Sequence, residues 1–326
     1  MRVHIQNAPQ DPLFAITAAD WQEAAGRAGQ STSAYALTIG ETPMTLAAAL
    51  RTAEALIAPP ASLAACLPVP APDLRLIFCT TAGVDALAPF DRLPPRALLV
   101  CNRGIHGAKA GEFGIMAVLM LAMRLPALVR AQSTGTWEPH YTPIVADRRL
   151  LLVGLGTLGS AVAARARSFG MHVTGVTLSG RSHVACDAAF PVAELDAVLP
   201  RAEFLLLACP LTPHTNRLID RRRLALLPSG AGVVNIGRGA VLDEQALADL
   251  LGAGHLGGAV LDVFSSEPLP RTHLLWQTPN LIVTPHISAD DPSIYTPRTL
   301  DRFFAALEAL RNGATPDNTV DLVRGY

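Results

Sequence analysis

Charge is scarce in this sequence, and neither sign dominates. Only 16% of the 326 residues are charged, and the formal net charge is -1. Binding to nucleic acid or to an anionic membrane surface depends on a basic excess that this composition lacks. We therefore expect the partners to be small molecules or further copies of the chain, with no nucleic acid and no membrane among them.

Cysteine is also sparse, and it forms no pattern. The five cysteines are odd in number and form neither a C-x-x-C pair nor a metal-ligand spacing with histidine, so we expect no metal site. No histidine pair has the zincin spacing, and no serine lies in a G-x-S-x-G elbow. We interpret the cysteines as small buried residues of a cytoplasmic protein. They are Cys66, Cys79, Cys101, Cys186 and Cys209.

Long apolar runs are missing as well. The longest, from Phe113 to Met123, contains Gly114 and is too short to span a bilayer. It lies in a predicted helix over about residues 109–130, whose apolar residues go nearly all the way round. In a chain of this size, such a helix favours a homodimer contact. Residues 1–5 resemble a first strand rather than a secretory signal.

The middle of the chain holds an apolar strand, Leu150–Val153, that leads into a glycine turn and then a helical pattern. This order of strand, G-x-G-x-x-G and helix is required at a dinucleotide site. Gly154 permits the tight turn, Gly156 lets backbone N–H groups approach a pyrophosphate, and Gly159 lets helix and strand pack closely. A plain structural turn is the alternative, and the flanking strand and helix argue against it.

The other segments alternate short β-like runs with alanine-rich helical runs, which is typical of a parallel α/β architecture of about two domains. The proline-rich segments Pro59–Pro72 and Pro94–Pro95 are predicted to be loops around a small first domain. Residues 80–85 form a strand-to-helix turn whose N–H groups could accept a carboxylate. A tight turn capped by Asp85 is the alternative.

The coenzyme type is indicated by the residues that end the second strand of the central domain. NAD-specific sites place an acid about 20 residues beyond the first glycines. Thr177 holds that position here, and Ser179 and Arg181 follow it. Hydroxyl and guanidinium groups would hold a 2′-phosphate, so we expect NADP, with NAD as the second option. The alternative is that Arg181 is a solvated surface residue.

Polar residues follow three consecutive predicted strands. Arg238, Asp262 and His286 each lie just beyond a strand, and the carboxyl ends of parallel strands meet at one edge of a sheet. Arg238 stands between two glycines, where a planar guanidinium suits a substrate carboxylate. An ion pair with a local acid such as Asp243 is the alternative.

His286 is the predicted proton donor. A histidine with a carboxylate partner is an acid/base unit near neutral pH, because the carboxylate orients the ring and favours the imidazolium. Glu267, in the loop after the preceding strand, could supply that carboxylate. A structural role is the alternative for a single histidine. The other histidines, including His106, His140, His214 and His255, have no such partner in the sequence and are interpreted as surface or core residues.

Taken together, these motifs resemble the NAD(P)-dependent D-2-hydroxyacid dehydrogenase family, whose members reduce 2-keto acids such as glyoxylate and hydroxypyruvate. The resemblance covers about residues 80–288. It is carried by five ordered segments: LLVGLGTLG, CPLTPHTNRLID, VVNIGRGAVLDEQAL, GAVLDVFSSEPLP and LIVTPHISA.

The resemblance implies two doubly wound parallel-sheet α/β domains. A Rossmann nucleotide domain, residues 105–286, would be inserted into a flavodoxin-like substrate domain made of residues 1–104 and 287–326. Arg238 would bind the keto acid, and His286 would donate the proton with Glu267 as its partner. Asp262 would lie near the nicotinamide. The substrate would contact Ala82, Gly83, Arg238 and His286, and the coenzyme Gly154, Gly156, Thr157, Leu158, Gly159, Thr177, Ser179, Arg181, Cys209, Pro210, Thr215, Ile236 and Asp262.

Two departures from the family pattern affect these expectations. Thr177 and Leu178 stand where NADP-using members often carry arginine, and Ser288-Ala289 replaces the usual Ala-Gly pair, which is expected to narrow the site. One rival interpretation is a relative that oxidises formate or phosphite, although the formate enzymes carry glutamine at the position of Glu267. The other is a nucleotide-sensing binding protein like the family's corepressors.

Overall fold

Two parallel β-sheets organise the chain, each in its own α/β unit. The computed structural model describes residues 1–10, 12–184 and 186–326. The first unit comprises Met1–Ile105 and Asp291–Tyr326, and the second comprises His106–Asp290. The α/β class and the two doubly wound sheets predicted from the sequence are confirmed.

The first unit contains a five-stranded sheet in the order β2-β1-β3-β4-β5, which is the flavodoxin-like order. All of its strand pairs are parallel. Its strands are β1 (Arg2–Gln6), β2 (Ala36–Gly40), β3 (Ala55–Ala58), β4 (Leu76–Cys79) and β5 (Leu98–Cys101). Its α-helices are α1 (Ala18–Arg27), α2 (Pro43–Leu50), α3 (Pro60–Cys66) and the C-terminal α10 (Tyr295–Arg311).

Helix α3 corrects one prediction, because it lies inside the proline-rich segment that was expected to be a loop. Pro59 is its N-cap and Pro60 its first residue. Proline is well suited to the first turn of a helix, since its fixed φ is already helical and its missing N–H would have had no partner there. The first two prolines of the segment therefore begin a helix rather than prevent one.

The second unit contains a seven-stranded sheet in the order β12-β11-β10-β9-β6-β7-β8, which is the Rossmann order with one added strand. The strands are β6 (Arg149–Val153), β7 (His172–Thr177), β8 (Ala188–Pro191), β9 (Phe204–Leu207), β10 (Gly232–Asn235), β11 (Gly258–Leu261) and β12 (Leu281–Val283). The α-helices are α4 (Gly107–Ala122), α5 (Leu125–Ser133), α6 (Thr157–Ser168), α7 (Leu195–Val198), α8 (Arg221–Leu226) and α9 (Glu244–Gly252).

The single long helix predicted over about residues 109–130 is wrong, because it is two helices. α4 and α5 meet at a 65° bend. Arg124 has φ 54° at the break, and Pro126 lies in the first turn of α5. Pro126 has no N–H to donate to the carbonyl of Ala122, four residues earlier, and its ring would clash with that carbonyl, so a continuous helix is broken here and a new one begins. In the described residues no single helix is long and apolar enough to cross a membrane, and this bent pair reaches that length and composition only when its halves are joined.

Candidate active site and coenzyme site

The glycine turn of the second unit has the backbone shape that a dinucleotide site needs. Gly154 has φ +97°, in the left-handed region, and a Cβ atom there would lie 2.8 Å from the backbone nitrogen of Cys209. A Cβ atom at Gly159 would overlap the carbonyl oxygen of Gly154. Both positions therefore require glycine, because the turn packs too closely against the Cys209 backbone at Gly154, and against the start of α6 at Gly159, for a side chain.

The same turn leaves room for an anion. Helix α6 begins at Thr157 with Gly156 as its N-cap, and its first turn has neither a side-chain cap nor an acidic residue. A Cβ atom at Gly156 would meet nothing within 4 Å among the described residues beyond its own helix and chain neighbours. Free N–H groups at the positive end of a helix bind phosphate groups. The turn, including Thr157 and Leu158, therefore fits a dinucleotide pyrophosphate.

Residues 177–181, here called the ribose turn, follow the end of β7. The Thr177 hydroxyl donates to the carbonyl oxygen of Arg181 at 3.0 Å, and the Arg181 N–H donates to Ser179 Oγ at 3.4 Å. Arg181 is exposed, and within the described parts of the chain its side chain forms no ion pair. The guanidinium is thus available for a phosphate, and no acid within the turn opposes one.

The loop after β9 crosses close to the glycine turn through the backbone of Cys209. Within this loop, the Thr215 hydroxyl donates to the carbonyl oxygen of Pro210 at 2.7 Å. Ile236 is only 2% exposed, in the core at the end of β10. Cys209, Pro210, Thr215 and Ile236 were all predicted to contact the coenzyme. The structure shows that the Thr215 side chain holds its own loop together.

Burial differs among the five cysteines. Cys79, Cys101 and Cys209 are buried as predicted, whereas Cys66 and Cys186 are only half-buried. Burial raises the pKa of the Cys209 thiol to about 12, so it is protonated at neutral pH. The thiol beside the glycine turn therefore packs as an apolar side chain and is not a nucleophile.

Arg238 lies in a loop that follows β10 and is fixed on two sides. The fully buried Asn235 donates from its side chain to the carbonyl oxygen of Arg238 at 3.0 Å and accepts from the Gly237 N–H at 3.0 Å. A Cβ atom at Gly239 would overlap the backbone of Phe264, so only glycine allows the two loops to touch. The half-buried guanidinium is therefore presented from a rigid backbone.

Asp243, the alternative ion-pair partner for Arg238, is engaged elsewhere. One carboxylate oxygen lies 2.6 Å from Nη2 of Arg217, and the other accepts the N–H of Ala246 at 3.0 Å, which caps α9. Burial raises the pKa of Asp243, but the hydrogen bonds from Ala246 and Arg217 outweigh burial and lower it. The carboxylate thus serves the start of α9.

His286 and Glu267 form a direct pair. Nδ1 of His286 lies 2.7 Å from Oε2 of Glu267, and Oε1 of Glu267 accepts the N–H of Phe264 at 2.8 Å. The carboxylate is therefore held between the ring and the backbone. The His286 side chain is 45% exposed, so the ring is not sealed into the core.

Charges around this pair set its protonation. The hydrogen bond to Glu267 raises the pKa of His286 above its ordinary value, against the opposing effects of burial and of the nearby Arg238 charge. Burial raises the pKa of Glu267, but the hydrogen bonds from His286 and Phe264 outweigh it, so that the pKa is lowered. The Arg238 charge lowers the pKa of both groups. The pair favours an imidazolium beside a carboxylate.

Asp262 organises the turn that carries His286. Its fully buried carboxylate accepts from the Thr284 hydroxyl at 2.6 Å, from the Ile287 N–H at 2.9 Å and from the Ser288 N–H at 2.8 Å. His286 itself has φ 55°, a conformation that non-glycine residues seldom adopt without support. Residues 284–288, here called the histidine turn, are thus held by a buried acid whose structural role was not predicted.

In the first unit, Ala82 and Gly83 are half-buried in the turn that follows β4. The Thr81 hydroxyl donates to the carbonyl oxygen of Gly83 at 2.7 Å. Asp85 is the first residue of a 3₁₀ helix, Asp85–Leu87, whose N-cap is Val84.

The prediction that the other histidines lack acidic neighbours is wrong for several of them. Nδ1 of His106 lies 3.2 Å from Asp290, and Nε2 of His273 lies 3.5 Å from Glu244. These acids are distant from their histidines in the chain, so the sequence alone contains no sign of the pairs. His140 and His172 also lie near carboxylates, at longer range or on the surface.

Comparison with known proteins relates this geometry to a family. Residues 115–288 match the family model described as D-isomer specific 2-hydroxyacid dehydrogenase, NAD binding domain. The chain is 31% identical over 260 residues to glyoxylate/hydroxypyruvate reductase A of Serratia proteamaculans. This alignment covers 78% of this chain and 82% of that protein.

Solved structures resemble both units. A D-isomer specific 2-hydroxyacid dehydrogenase from Xanthobacter autotrophicus, in complex with NADPH and MES, has a TM-score of 0.80 and 28% identity over 99% of each chain. An NADPH-dependent glyoxylate/hydroxypyruvate reductase from Sinorhizobium meliloti, in complex with NADP and sulfate, has a TM-score of 0.81 and 25% identity over 100% of each chain.

Proposed function

We propose a specific reaction for this chain, which belongs to the D-isomer specific 2-hydroxyacid dehydrogenase family and is thus an NAD(P)-dependent oxidoreductase. In this proposal it reduces a small 2-keto acid of the glyoxylate or hydroxypyruvate type to the D-2-hydroxy acid. NADPH is the preferred coenzyme. The observation that carries the proposal is the His286–Glu267 pair, joined at 2.7 Å within reach of the Arg238 charge. The names of the similar proteins support the substrate class and the coenzyme.

In this proposal His286 is the proton donor. Its Nδ1–H is held by Glu267, so the Nε2–H is the proton left for the keto oxygen. The raised pKa favours the protonated ring, and the Glu267 carboxylate stabilises its charge. When the imidazolium gives up its proton, the carboxylate still holds the ring in place for reprotonation.

Arg238 is assigned to the substrate carboxylate. A guanidinium binds a carboxylate through two parallel hydrogen bonds, which fixes the orientation of the keto group. Its positive charge also stabilises the negative charge that develops on the keto oxygen. We assign a further role in carboxylate binding to the N–H groups of Ala82 and Gly83, and substrate recognition to residues 1–104 and 287–326.

The remaining predicted residues are assigned to the coenzyme. The glycine turn would hold the pyrophosphate, and Thr177, Ser179 and Arg181 of the ribose turn would hold the 2′-phosphate. Once bound, the nicotinamide supplies the hydride that the keto carbon accepts. The open helix start at Gly156 and the absence of an acid from the ribose turn support this assignment.

The test is a substrate screen that follows NADPH oxidation with glyoxylate, hydroxypyruvate, pyruvate and phenylpyruvate. We expect turnover with at least one small keto acid, a D-configured product wherever the product is chiral, and a lower kcat/KM with NADH. Reduction of NADP by phosphite or formate, without turnover of any keto acid, would contradict the proposal. Tight NADPH binding without any turnover would instead favour a nucleotide-sensing protein.

We also propose that the chain forms a homodimer through the outer surface of α4, α5 and the segment that follows them. Large apolar side chains are exposed there, and Trp137 and Tyr141 are 96% and 95% exposed. Apolar clusters of this kind mark protein contacts, and identical chains associate most often as symmetric pairs. The other exposed members are Met116, Met123, Leu125, Val129 and Ile144.

Light scattering tests this assignment. The wild type is expected to have the mass of two chains, and the double variant Val129→Ser/Trp137→Ser the mass of one. Val323→Ser is the matched control, because Val323 is 97% exposed but lies outside this surface. A monomeric wild type would refute the dimer.

A further inference from the structure

The loop that carries Glu267, residues 265–273, contributes little to the core. Most of its residues are exposed, including Glu267 itself, and Leu269 is the member that packs partly against the core of the second unit. Apolar packing alone therefore leaves the loop poorly anchored, and exposed loops with few buried contacts open easily. A carboxylate that must stay 2.7 Å from His286 needs another source of order.

One carboxylate, that of Glu244, holds both ends of this loop. Its Oε1 accepts the N–H of Ser265 at 2.7 Å, and its Oε2 lies 3.5 Å from Nε2 of His273. Nδ1 of His273 accepts the N–H of Leu275 at 3.4 Å, which leaves the ring proton on Nε2, facing Glu244. The two ends of the loop thus meet at a single acid.

Glu244 is well placed to act as an anchor. It is the first residue of α9 and its side chain is only 11% exposed. The neighbouring Asp243 pairs with Arg217 and caps the helix, so the two acids have separate partners. A carboxylate in the first helical turn is favoured by the helix dipole, but that benefit alone needs neither Ser265 nor His273.

The position of the loop determines whether Glu267 stays within hydrogen-bond distance of His286. Ser265 follows Phe264, whose N–H holds Oε1 of Glu267, so a shift at Ser265 is passed directly to that carboxylate. Of the groups that face His286, Glu267 and Asp262 raise its pKa and Arg238 lowers it. Asp262 is fixed at the end of β11, before this loop begins, and Arg238 follows β10, so a displaced 265–273 loop would mainly change the Glu267 contribution.

We propose that Glu244 is a positioning residue of the reaction, whose carboxylate joins both ends of the 265–273 loop and thereby holds Glu267 against His286. This inference rests on the proposed function, because it assigns a purpose to the pair that would donate the proton. Glu244 does not touch the substrate in this account. It acts through Glu267.

The test measures the pKa of His286 directly, by NMR titration of its ring, with the signal assigned by comparison with His286→Ala. Glu244→Ala is expected to lower the pKa of His286 and to reduce kcat for the keto acid on the order of ten- to a hundredfold, because the acid is misplaced. The KM should change by no more than about twofold, since Arg238 keeps its place. Glu244→Gln, which still accepts from Ser265, should lie between wild type and Glu244→Ala.

Gln245→Ala is the matched control, because Gln245 is the next residue of α9 and its side chain bonds Asp249 at 2.8 Å rather than the loop. This variant should leave the pKa of His286 and kcat unchanged. If Glu244→Ala does not fold, Glu244→Gln and His273→Ala decide the question, because both weaken the contact between Glu244 and His273 and should lower the pKa of His286 and kcat by a smaller amount.

Glu267→Gln distinguishes a failure of the His286–Glu267 pair from a failure of the role assigned to Glu244. If it lowers the pKa of His286 while Glu244→Ala leaves that pKa and kcat at wild-type values, the role of Glu244 is refuted and the acid/base pair stands. If Glu267→Gln leaves the pKa unchanged, the pair itself fails and the inference fails with it.

Discussion

The histidine turn and the ribose turn, both in the second unit, are built in opposite ways. The histidine turn is held from outside itself by the buried carboxylate of Asp262, which accepts three hydrogen bonds. In the described part of the chain, the side-chain hydrogen bonds of the ribose turn join its own residues, and its Leu178 is 66% exposed. The turn that would perform the chemistry is therefore preorganised. The turn that would select the coenzyme lies on the surface, where substitutions cost little stability.

The largest effect is expected from His286→Ala, which removes the proposed proton donor. A positioned general acid contributes about 10²–10⁴-fold to the rate, so kcat for keto acid reduction should fall by about that factor. Steady-state kinetics with NADPH measures the loss, and coenzyme affinity serves as the control because it should not change. Unchanged turnover would end the acid/base assignment.

Asp262→Ala is expected to lower stability more than any substitution in the ribose turn. It leaves the Ile287 and Ser288 N–H groups and the Thr284 hydroxyl without their acceptor, at a cost of about 3 kcal/mol in the free energy of unfolding. Thr177→Val, which removes one bond of the exposed turn, should cost about 1 kcal/mol or less. Urea unfolding compares the two variants, and equal losses would contradict the contrast between the turns.

Arg238→Ala is expected to lower kcat/KM for the keto acid by about a hundredfold, through both a higher KM and a lower kcat. The reason is that the guanidinium would bind the substrate carboxylate and also stabilise charge on the keto oxygen, and a lost charge pair costs about 2–5 kcal/mol. Initial rates over a range of keto acid concentrations separate the two parameters. A change in neither would remove Arg238 from the site.

The smallest effect is expected from Arg181→Ala in the ribose turn. Loss of one exposed charge-assisted hydrogen bond should reduce kcat/KM with NADPH by about tenfold and leave the value with NADH nearly unchanged. Melting temperature is the control, because the turn makes no contribution to the core. An enzyme that prefers NADH and is indifferent to the substitution would show that Arg181 is a solvated surface residue.

Sequence reasoning succeeded where physical signals are local. Strands β7, β10 and β12 lie where they were predicted, ending at Thr177 and just before Arg238 and His286, because strands of a parallel sheet covered on both faces appear as short apolar runs. The glycine turn was recognisable because strand, glycines and helix are consecutive. The break between α4 and α5 was also visible in principle, as Pro126, but the continuous apolar pattern concealed it.

Contacts between distant residues were not predictable in the same way. Asp262 was predicted only as a residue near the coenzyme, and the sequence did not indicate that its carboxylate also holds a turn more than 20 residues further along the chain. Glu244 was not among the predicted site residues, and its bond to Ser265 spans 21 residues. Nothing in the local pattern distinguishes such acids from ordinary helix-start or surface carboxylates, because their partners are chosen by the fold.

The most direct test of the central claim is the pH dependence of kcat/KM for keto acid reduction in wild type and in Glu267→Gln. The reaction needs the imidazolium, so activity should be full at low pH and fall as pH rises through the pKa of His286, which the Glu267 hydrogen bond raises above the ordinary value of about 6.5. Glu267→Gln removes that stabilisation, so its activity should fall at a lower pH. The same midpoint in both proteins would contradict the account.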